Sequence, residues 1–375
     1  MINKKRLIGL TQKLIRINSE NPPGDEKKIG NFVRGYLAGL GLRTRIVEFK
    51  KGRSNVLAFL KGRGGRGSLL FTPHLDTVCA GNSWKHDPFA GKIEGNKIYG
   101  LGATDCKINL ACAMEALNSL VEDKKTPQQD LIFAATADEE CGSNLGLIPL
   151  LKSGAIKPDY ALVLDSDEFD IIVTQKGMIH LKAKIQGKRS HGAYPWRGEN
   201  AIDAAVNIIK ELKEQKLAYP KNKYLRPPTI NVGTIRGGDK VNVVADWCEF
   251  ELDFRFLPGQ KAAKILENLK KVIKRHTNKF KIEVNDIQVP YNIAQTHALV
   301  KALKKAMLTQ CIESRIKGSE GATVITFFQH KGIPAVSFGF GSSGCAHTSD
   351  EFAKISNLYK GAQVLEEFLW KGLNS

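Results

Sequence analysis

The chain has 375 residues, of which 42% are hydrophobic and 25% are charged, as in an ordinary globular protein. This length exceeds what one compact core usually accommodates, so it predicts two domains. No segment is apolar for long enough to span a bilayer, and the basic N-terminal stretch lacks the apolar run of a signal peptide, so we expect a cytoplasmic protein with no membrane partner.

The formal net charge of +18 has two interpretations. A basic balance can mark a nucleic-acid-binding protein, but the Lys and Arg residues here are scattered over every segment and form no stripe interleaved with aromatics. We therefore expect a solvated basic surface, able to steer anionic substrates, and no nucleic-acid partner. The seven cysteines include no CxxC pair and their number is odd, which indicates free thiols in a reducing compartment.

The first half of the chain alternates predicted helices and strands. Residues 26–40 predict a strongly amphipathic helix, because their apolar side chains recur at helical spacing. The glycine-rich residues 62–67 predict a hairpin connection rather than a phosphate loop, since the Lys-Ser/Thr of that motif is missing. The other predicted elements are strands at 43–49, 55–60, 68–72, 130–136 and 160–164 and helices at 109–120 and 144–152. This alternation is typical of an α/β sheet with crossover helices.

The pattern changes after residue 177. Strands at 180–186, 229–236, 249–256 and 280–289 and helices at 200–215 and 261–277 are predicted in the order βαββαβ, the ferredoxin-like unit. The α/β pattern then resumes with helices at 297–311, 323–330 and 358–371 and a strand at 335–339. We therefore expect residues 178–290 to be an inserted domain, and residues 1–177 and 291–375 to form one α/β domain.

Acids and histidines lie at or near the ends of the strand-like runs of this α/β domain. Open α/β sheets build their sites at such strand ends. Imidazole and carboxylate are the ligand set of catalytic zinc, and an acid able to bridge indicates two metals rather than one. The pattern therefore indicates a metal-dependent hydrolase. The residues are, in chain order, His74, Asp76, Asp105, Glu139, Glu140, Asp165 and His347.

Taken singly, each residue also has a structural interpretation. Asp105 could cap the helix that begins near residue 109, and the acidic triplet that ends at Glu140 could be a solvated turn. Two adjacent carboxylates can instead divide the work, one binding metal and one moving protons. His191 lies in a turn of small residues inside the inserted domain, where it is either a loop residue or a donor to a developing oxyanion. The cysteines beside the acids are better explained as small filler than as nucleophiles.

Taken together and in order, these motifs resemble the zinc-dependent amidohydrolases and metallopeptidases that include acetylornithine deacetylase, succinyl-diaminopimelate desuccinylase, aminoacylase and glutamate carboxypeptidase. The resemblance covers essentially the full length. It implies a zinc-peptidase-like catalytic domain at 1–177 and 291–375, and a ferredoxin-like lid and dimerisation domain at 178–290. It also implies a homodimeric hydrolase of N-acyl amino acids or, alternatively, of short peptides; a non-catalytic basic binding protein is the remote alternative.

The resemblance also assigns roles to single residues. Glu139 matches the general base, and Asp76 matches the residue whose carboxylate orients the first ligand, His74. His191 matches an oxyanion donor supplied by the partner subunit, while Arg255 and Asn242 match substrate-contacting positions. The implied cofactors are two Zn²⁺ ions, for which Co²⁺ can substitute. The resemblance implies one zinc held by His74, Asp105 and Glu140, and the other by Asp105, Asp165 and His347, so that Asp105 bridges both metals.

Two positions depart from the family pattern. Ile108 stands where the family usually has glycine, and Asp165 stands where the acyl-amino-acid hydrolases more often have Glu. Aspartate at that place is more familiar among the dipeptidase relatives. The resemblance therefore leaves two substrate classes, N-acyl amino acids and short peptides. The resemblance also implies a cis peptide bond between Asp105 and Cys106.

Overall fold

A computed structural model describes residues 1–215 and 217–374 of the chain. Within these ranges, no helix is long and apolar enough to cross a membrane. All seven cysteines lie in them and carry free thiols, as predicted.

Helices and strands are numbered in chain order. The helices are α1 Lys4–Arg16, α2 Lys27–Gly39, α3 Ile108–Glu122, α4 Leu147–Lys152, α5 Ala201–Glu214, α6 Ala262–His276, α7 Ala298–Thr309, α8 Ile325–Gln329 and α9 Ile355–Lys371. The strands are β1 Arg43–Glu48, β2 Ser54–Leu60, β3 Ser68–Thr72, β4 Lys92–Glu94, β5 Lys97–Tyr99, β6 Asp130–Ala135, β7 Tyr160–Val163, β8 Asp170–Gln175, β9 Gly177–Gln186, β10 Thr229–Gly237, β11 Trp247–Phe256, β12 Phe280–Gln288, β13 Tyr291–Asn292, β14 Arg315–Ser319, β15 Ala335–Ser337 and β16 Phe352–Lys354.

The chain divides into two compact units. The first comprises Met1–Val173, Ile293–Lys317 and Thr323–Ser375, and the second comprises Thr174–Asn292 and Gly318–Ala322. The second unit is thus an insertion into the first, with limits close to the predicted 178–290. It also takes in Gly318–Ala322, a short segment that begins at the end of β14 and that the sequence pattern assigns to the α/β domain.

The first unit is built on a mixed sheet in which the strands run in the order β1-β2-β6-β3-β7-β15-β8. Strand β3 pairs in parallel with β6 and with β7, and β15 pairs in parallel with β7. Strands β3 and β6 are buried along nearly their whole length, without alternation, as expected of strands covered on both faces. The carboxyl ends of β3, β6 and β7 therefore meet at one edge of the sheet.

The predicted hairpin between β2 and β3 is wrong. Strand β6 lies between them, antiparallel to β2 and parallel to β3. The glycines of the link allow it to cross the chain just before β6, since a side chain at Gly62 would lie 2.4 Å from the main chain of Gln129. The N–H of Gly65 donates to the carbonyl of Gln128 at 2.7 Å. Close approach of two backbones, rather than a tight turn, explains the glycine content.

The second unit has a four-stranded antiparallel sheet in the order β10-β11-β9-β12. In the unit's own chain order this is 2-3-1-4, which confirms the ferredoxin-like prediction and, with the mixed sheet of the first unit, the predicted fold class. Helices α5 and α6 pack on one face over a core that includes Phe250, Leu252 and Val272. Asn200 caps α5 by accepting from the N–H groups of Ile202 and Asp203.

Helix α1 and the small sheet β16-β5-β4 have no counterpart among the predicted elements. The signal for α1 was present, because its buried residues Leu7, Leu10 and Leu14 recur at helical spacing and Asn3 caps the helix. The strands of the small sheet have three residues each, too few to show a period.

Candidate metal centre

The sheet edge where β3, β6 and β7 end carries most of the predicted site residues. His74 lies two residues beyond β3 and continues the ladder through a parallel bridge to Thr136. Glu139 and Glu140 follow in a short helical turn after β6, and Asp165 follows β7. The sheet topology therefore brings together residues from three separate segments of the chain.

The ring of His74 is buried, at 3% exposure, and its orientation follows from one contact. Its Nδ1 lies 2.9 Å from the main-chain carbonyl oxygen of Asp76. A carbonyl can only accept, so Nδ1 carries the proton and Nε2 presents its lone pair. That Nε2 lies 2.9 Å from Oδ1 of Asp105. Two acceptors at this distance need a cation between them, either a proton or a metal ion.

Asp105 lies between the two histidines. Its other oxygen, Oδ2, is 3.2 Å from Nε2 of His347, which is itself 3.2 Å from Oε2 of Glu140. Among the described residues, two groups have ligand atoms within 4.8 Å of one another, and they share Asp105. The groups are His74, Asp105 and Cys106, and Asp105, Glu140 and His347. The structure thus places Glu140 with His347, whereas the resemblance implied that it shares a metal with His74.

Two further predicted features concern the residues next to Asp105. The peptide bond between Asp105 and Cys106 is cis, as the resemblance implied. The thiol of Cys106 contacts the main chain of His74, accepting from its N–H at 3.2 Å. Burial raises the pKa of this thiol to about 12, so it remains protonated near neutral pH and fits the predicted role of buried filler.

Asp165 stands beside both groups rather than within them. Burial, and then the charge of Asp105, raises the pKa of Asp165 to about 7. Burial, followed by the charge of Asp165, also raises the pKa of Glu139 well above its ordinary value. Burial and the repulsion between neighbouring carboxylates thus act on Asp165 and Glu139 in the same direction.

The histidines respond to this crowding in the opposite sense. Hydrogen bonds with Asp105 and Glu140 raise the pKa of His347 to about 10. Burial disfavours the charge on Asp105, but hydrogen bonds with His347 and His74 outweigh it and hold the pKa of Asp105 below its usual range. One buried oxygen, Oε1 of Glu140, has no hydrogen-bond partner in the described part of the chain. Imidazole nitrogens and surplus carboxylates with an unsatisfied buried oxygen form a donor set that fits divalent metal ions.

Asp76 acts through different atoms from those predicted. Its Oδ1 is 3.7 Å from Nδ1 of His74, farther than its main-chain carbonyl oxygen. The carboxylate instead accepts from the main-chain N–H groups of Glu139 and Glu140, each at 3.1 Å, and from the amide of Asn21 at 2.9 Å. Asp76 therefore holds the ring of His74 with its backbone and the turn of Glu139 with its side chain.

A buried ion network that sequence patterns did not predict supports the same turn. Arg53 donates to both carboxylate oxygens of Glu26, at 2.6 and 2.8 Å, and to Asp138 at 3.0 Å. Asp138 immediately precedes Glu139, has a φ of +64°, and accepts from the N–H of Leu145. Glu26 lies just before α2 and Arg53 just before β2, but the sequence does not indicate that these two residues pair with each other.

The remaining predicted residues lie in the second unit. His191 is exposed, and its Nδ1 accepts from the N–H of Ala193 at 3.0 Å, so Nε2 carries the proton of the neutral ring. The carbonyl of Asn242 accepts from the N–H of Gly192 at 2.8 Å. Arg255 donates to both oxygens of Asp253, at 2.7 and 3.0 Å. The guanidinium predicted to clasp a substrate is thus already paired within its own strand.

Comparison with known proteins extends these observations. The sequence profile of peptidase family M20/M25/M40 matches residues 70–371. The acetylornithine deacetylase of Photorhabdus laumondii is 31% identical over 90% of this chain and 89% of that protein. Among solved structures, a tripeptidase from Staphylococcus aureus has a TM-score of 0.81 at 25% identity, and the aminopeptidase PepT from Bacillus cereus has the same TM-score at 24% identity; each comparison covers 98% of both chains.

Proposed function

This chain belongs to peptidase family M20/M25/M40 and is a hydrolase of amide bonds, and from that premise we propose that it removes the acyl group from N-acyl amino acids. One observation carries the proposal: the carboxylate of Asp105 lies between two histidines, with Glu139 beside it. The deacetylase relative, similar over nearly the whole chain, supports an acyl amino acid as the substrate class.

We propose that the site holds two metal ions, with zinc as the native metal and cobalt as a substitute. Asp105 would be shared between them, and the other ligands would be His74, Glu140, Asp165 and His347. When bound, such metals supply an acidified water molecule and a positive charge next to the scissile carbonyl oxygen. The surplus of carboxylates over histidines supports this assignment, because it leaves negative charge for divalent cations to balance.

Glu139 would be the general base. It would take a proton from the attacking water and deliver it to the departing amine, so that the carboxylate is regenerated in each cycle. Burial and neighbouring carboxylates raise the pKa of Glu139, which supports a group that holds a proton between these two transfers. The hydrogen bond from the N–H of Glu139 to Asp76 would hold the main chain of Glu139, and so its carboxylate, in position during turnover.

His191 would stabilise the tetrahedral oxyanion from the partner subunit of a homodimer. The support is local: Ala193 occupies Nδ1, so the N–H on Nε2 is available to donate to an anionic oxygen. Asn242 and Arg255 would contact the substrate, and Arg255 would first have to exchange its pairing with Asp253 for the substrate carboxylate. The free cysteines support a reducing, cytoplasmic location.

A peptidase using the same residues is the second candidate function. It is favoured by Asp165, which replaces the Glu more usual in acyl-amino-acid hydrolases, and by the structural similarity to a tripeptidase at 25% identity. The chemistry would be unchanged, because in both substrates the bond that is hydrolysed is an amide. The difference would lie in the group that precedes the scissile carbonyl.

One screen separates the two candidates. The protein is loaded with Zn²⁺ or Co²⁺ and assayed for amine release from N-acetyl and N-succinyl amino acids beside dipeptides and tripeptides. We expect the highest kcat/KM on an N-acyl amino acid. A higher kcat/KM on a peptide would replace the first candidate with the second, and loss of both activities in the Glu139→Gln variant is the control that assigns them to this site.

A further inference from the structure

The carboxylate of Glu351 is buried, at 2% exposure, and accepts three main-chain hydrogen bonds from one turn. Its Oε2 accepts from the N–H of Gly102 at 2.9 Å. Its Oε1 accepts from the N–H of Thr104 at 2.7 Å and from that of Asp105 at 2.9 Å. No basic side chain forms an ion pair with this carboxylate among the residues that the structure describes. The main chain around Asp105 is therefore the partner of Glu351.

The same two segments are joined at several other points. The N–H of Gly100 donates to the carbonyl of Glu351 at 2.9 Å, and the hydroxyl of Thr104 donates to the carbonyl of Phe352 at 2.6 Å. Strand β16, which begins at Phe352, pairs with β5. His347 lies four residues before Glu351, with a φ of +59°. Glu351 thus connects the segment that carries His347 to the turn that carries Asp105, across 246 positions of the sequence.

This turn needs an external acceptor. Gly102, Thr104 and Asp105 lie at the N-terminal end of a short helical turn, Ala103–Lys107, where N–H groups have no preceding helical turn to accept from them. A carboxylate is the strongest acceptor available in a protein, and its hydrogen bonds are charge-assisted. Without it, three buried donors would lose their partner, and the turn would relax to satisfy them elsewhere. The direction in which the Asp105 carboxylate points depends on that turn.

We propose that Glu351 is a positioning residue for the metal centre, which aims Asp105 toward His74 and His347 by holding the N–H groups of the turn. The inference rests on the proposed function, because it takes Asp105 to be a shared metal ligand. It goes beyond that function by assigning to Glu351, which would touch neither metal nor substrate, a share of the metal affinity. Groups that orient metal ligands typically contribute in this way.

The test compares metal affinity in Glu351→Gln, Glu351→Ala and a matched control, Glu366→Gln. Glu366 is also a buried acid of the first unit, but its carboxylate accepts from Ser119 at 2.8 Å and from Lys125 at 2.7 Å, away from the turn of Asp105. Zn²⁺ and Co²⁺ affinities are measured by competition with a chromophoric chelator. Circular dichroism and the Tm of the metal-free proteins are recorded alongside.

We expect Glu351→Gln to bind metal about 10–100-fold more weakly than the wild type. Glutamine keeps one carbonyl acceptor, so its metal-free Tm should stay close to that of Glu366→Gln, which should bind metal like the wild type. Glu351→Ala, which keeps no acceptor, should lose more affinity. If this variant does not fold, Glu351→Gln alone decides the question.

Two outcomes would overturn the inference in distinguishable ways. If the wild type and Glu366→Gln take up metal and Glu351→Gln takes it up equally tightly, Glu351 is merely structural and the proposed function stands. If the wild type itself takes up no Zn²⁺ or Co²⁺, the proposed function fails, and the role of Glu351 fails with it.

Discussion

Each of the two units contains a histidine–carboxylate pair, but the two pairs differ in burial and in charge balance. In the first unit, His74 is 3% exposed and its Nε2 lies 2.9 Å from Asp105. In the second, His180 is 43% exposed and its Nε2 lies 3.6 Å from Asp253, which is paired with Arg255. The residue types are the same, but solvent screens the second pair and a basic side chain already balances it. Burial together with uncompensated charge, rather than residue type, distinguishes the candidate metal centre.

The same contrast holds for two carboxylates that are compared without their histidines, Glu283 and Asp165. On the open face of the second sheet, hydrogen bonds from Lys184 and then Lys281 lower the pKa of Glu283 to about 2. In the first unit, burial and then the like charge of Asp105 raise the pKa of Asp165 to about 7. A carboxylate with two lysines in water is satisfied, whereas one among other carboxylates in a buried site lacks a counter-ion. The predictions below test that distinction with matched pairs of variants.

The largest effect is expected from the two histidines. His74→Ala should lose most of its metal and, with it, detectable hydrolysis, because the substitution removes a buried ligand next to Asp105. His180→Ala should keep the wild-type metal content, because its ring is solvated and lies near a carboxylate that is already paired. Metal content is measured by atomic emission after dialysis. Equal retention in both variants would remove the basis of the comparison.

The second effect concerns proton transfer. Glu139→Gln should lower kcat by about 10²–10⁴-fold, the usual contribution of a general base, while metal content stays near wild type. Glu251→Gln, which replaces an acid on the open face of the second sheet beside Lys182, is the matched control and should leave both kcat and metal content unchanged. Steady-state kinetics and metal analysis are measured on the same preparations. A Glu139→Gln enzyme with wild-type kcat would exclude this residue as the base.

The third prediction concerns the proposed homodimer, in which His191 of one chain would act with Glu139 of the other. His191→Ala should lower kcat by about 10²–10³-fold, the effect of removing one oxyanion donor. Mixing inactive His191→Ala and Glu139→Ala chains should restore about a quarter of wild-type activity, since half of randomly assembled dimers are hybrids with one intact site. Native mass spectrometry verifies that hybrids form. Hybrids without activity would show that His191 does not act from the partner chain.

The last prediction concerns the free energy of unfolding rather than activity. Arg53→Met should lower the free energy of unfolding by about 3–5 kcal/mol, because it leaves Glu26 charged and buried without its partner. Arg189→Met removes an exposed guanidinium that pairs with Asp239, and should change stability by about 0–1 kcal/mol. Urea denaturation of both variants measures the difference. Similar losses would mean that burial does not distinguish the two arginines.

Several features followed from the sequence because they depend on local patterns. The helical spacing of apolar residues at 26–40 predicted α2, and alternation with turn residues predicted the βαββαβ order of the second unit. Acids and histidines at strand ends indicated the edge where the candidate site lies, because parallel strands present their carboxyl ends together. The family motifs supplied the residue roles that spacing alone left open.

Tertiary structure alone decided which residues are partners. The position of β6 between β2 and β3, the bonds of Asp76 to the turn of Glu139, and the pairing of Arg53 with Glu26 join segments from 27 to more than 60 positions apart. The hold of Glu351 on the turn of Asp105 spans 246 positions. Periodicity along a chain reports whether a residue is buried, but not which distant group will meet it there. That choice is made when the sheet assembles and each buried polar group must find a partner.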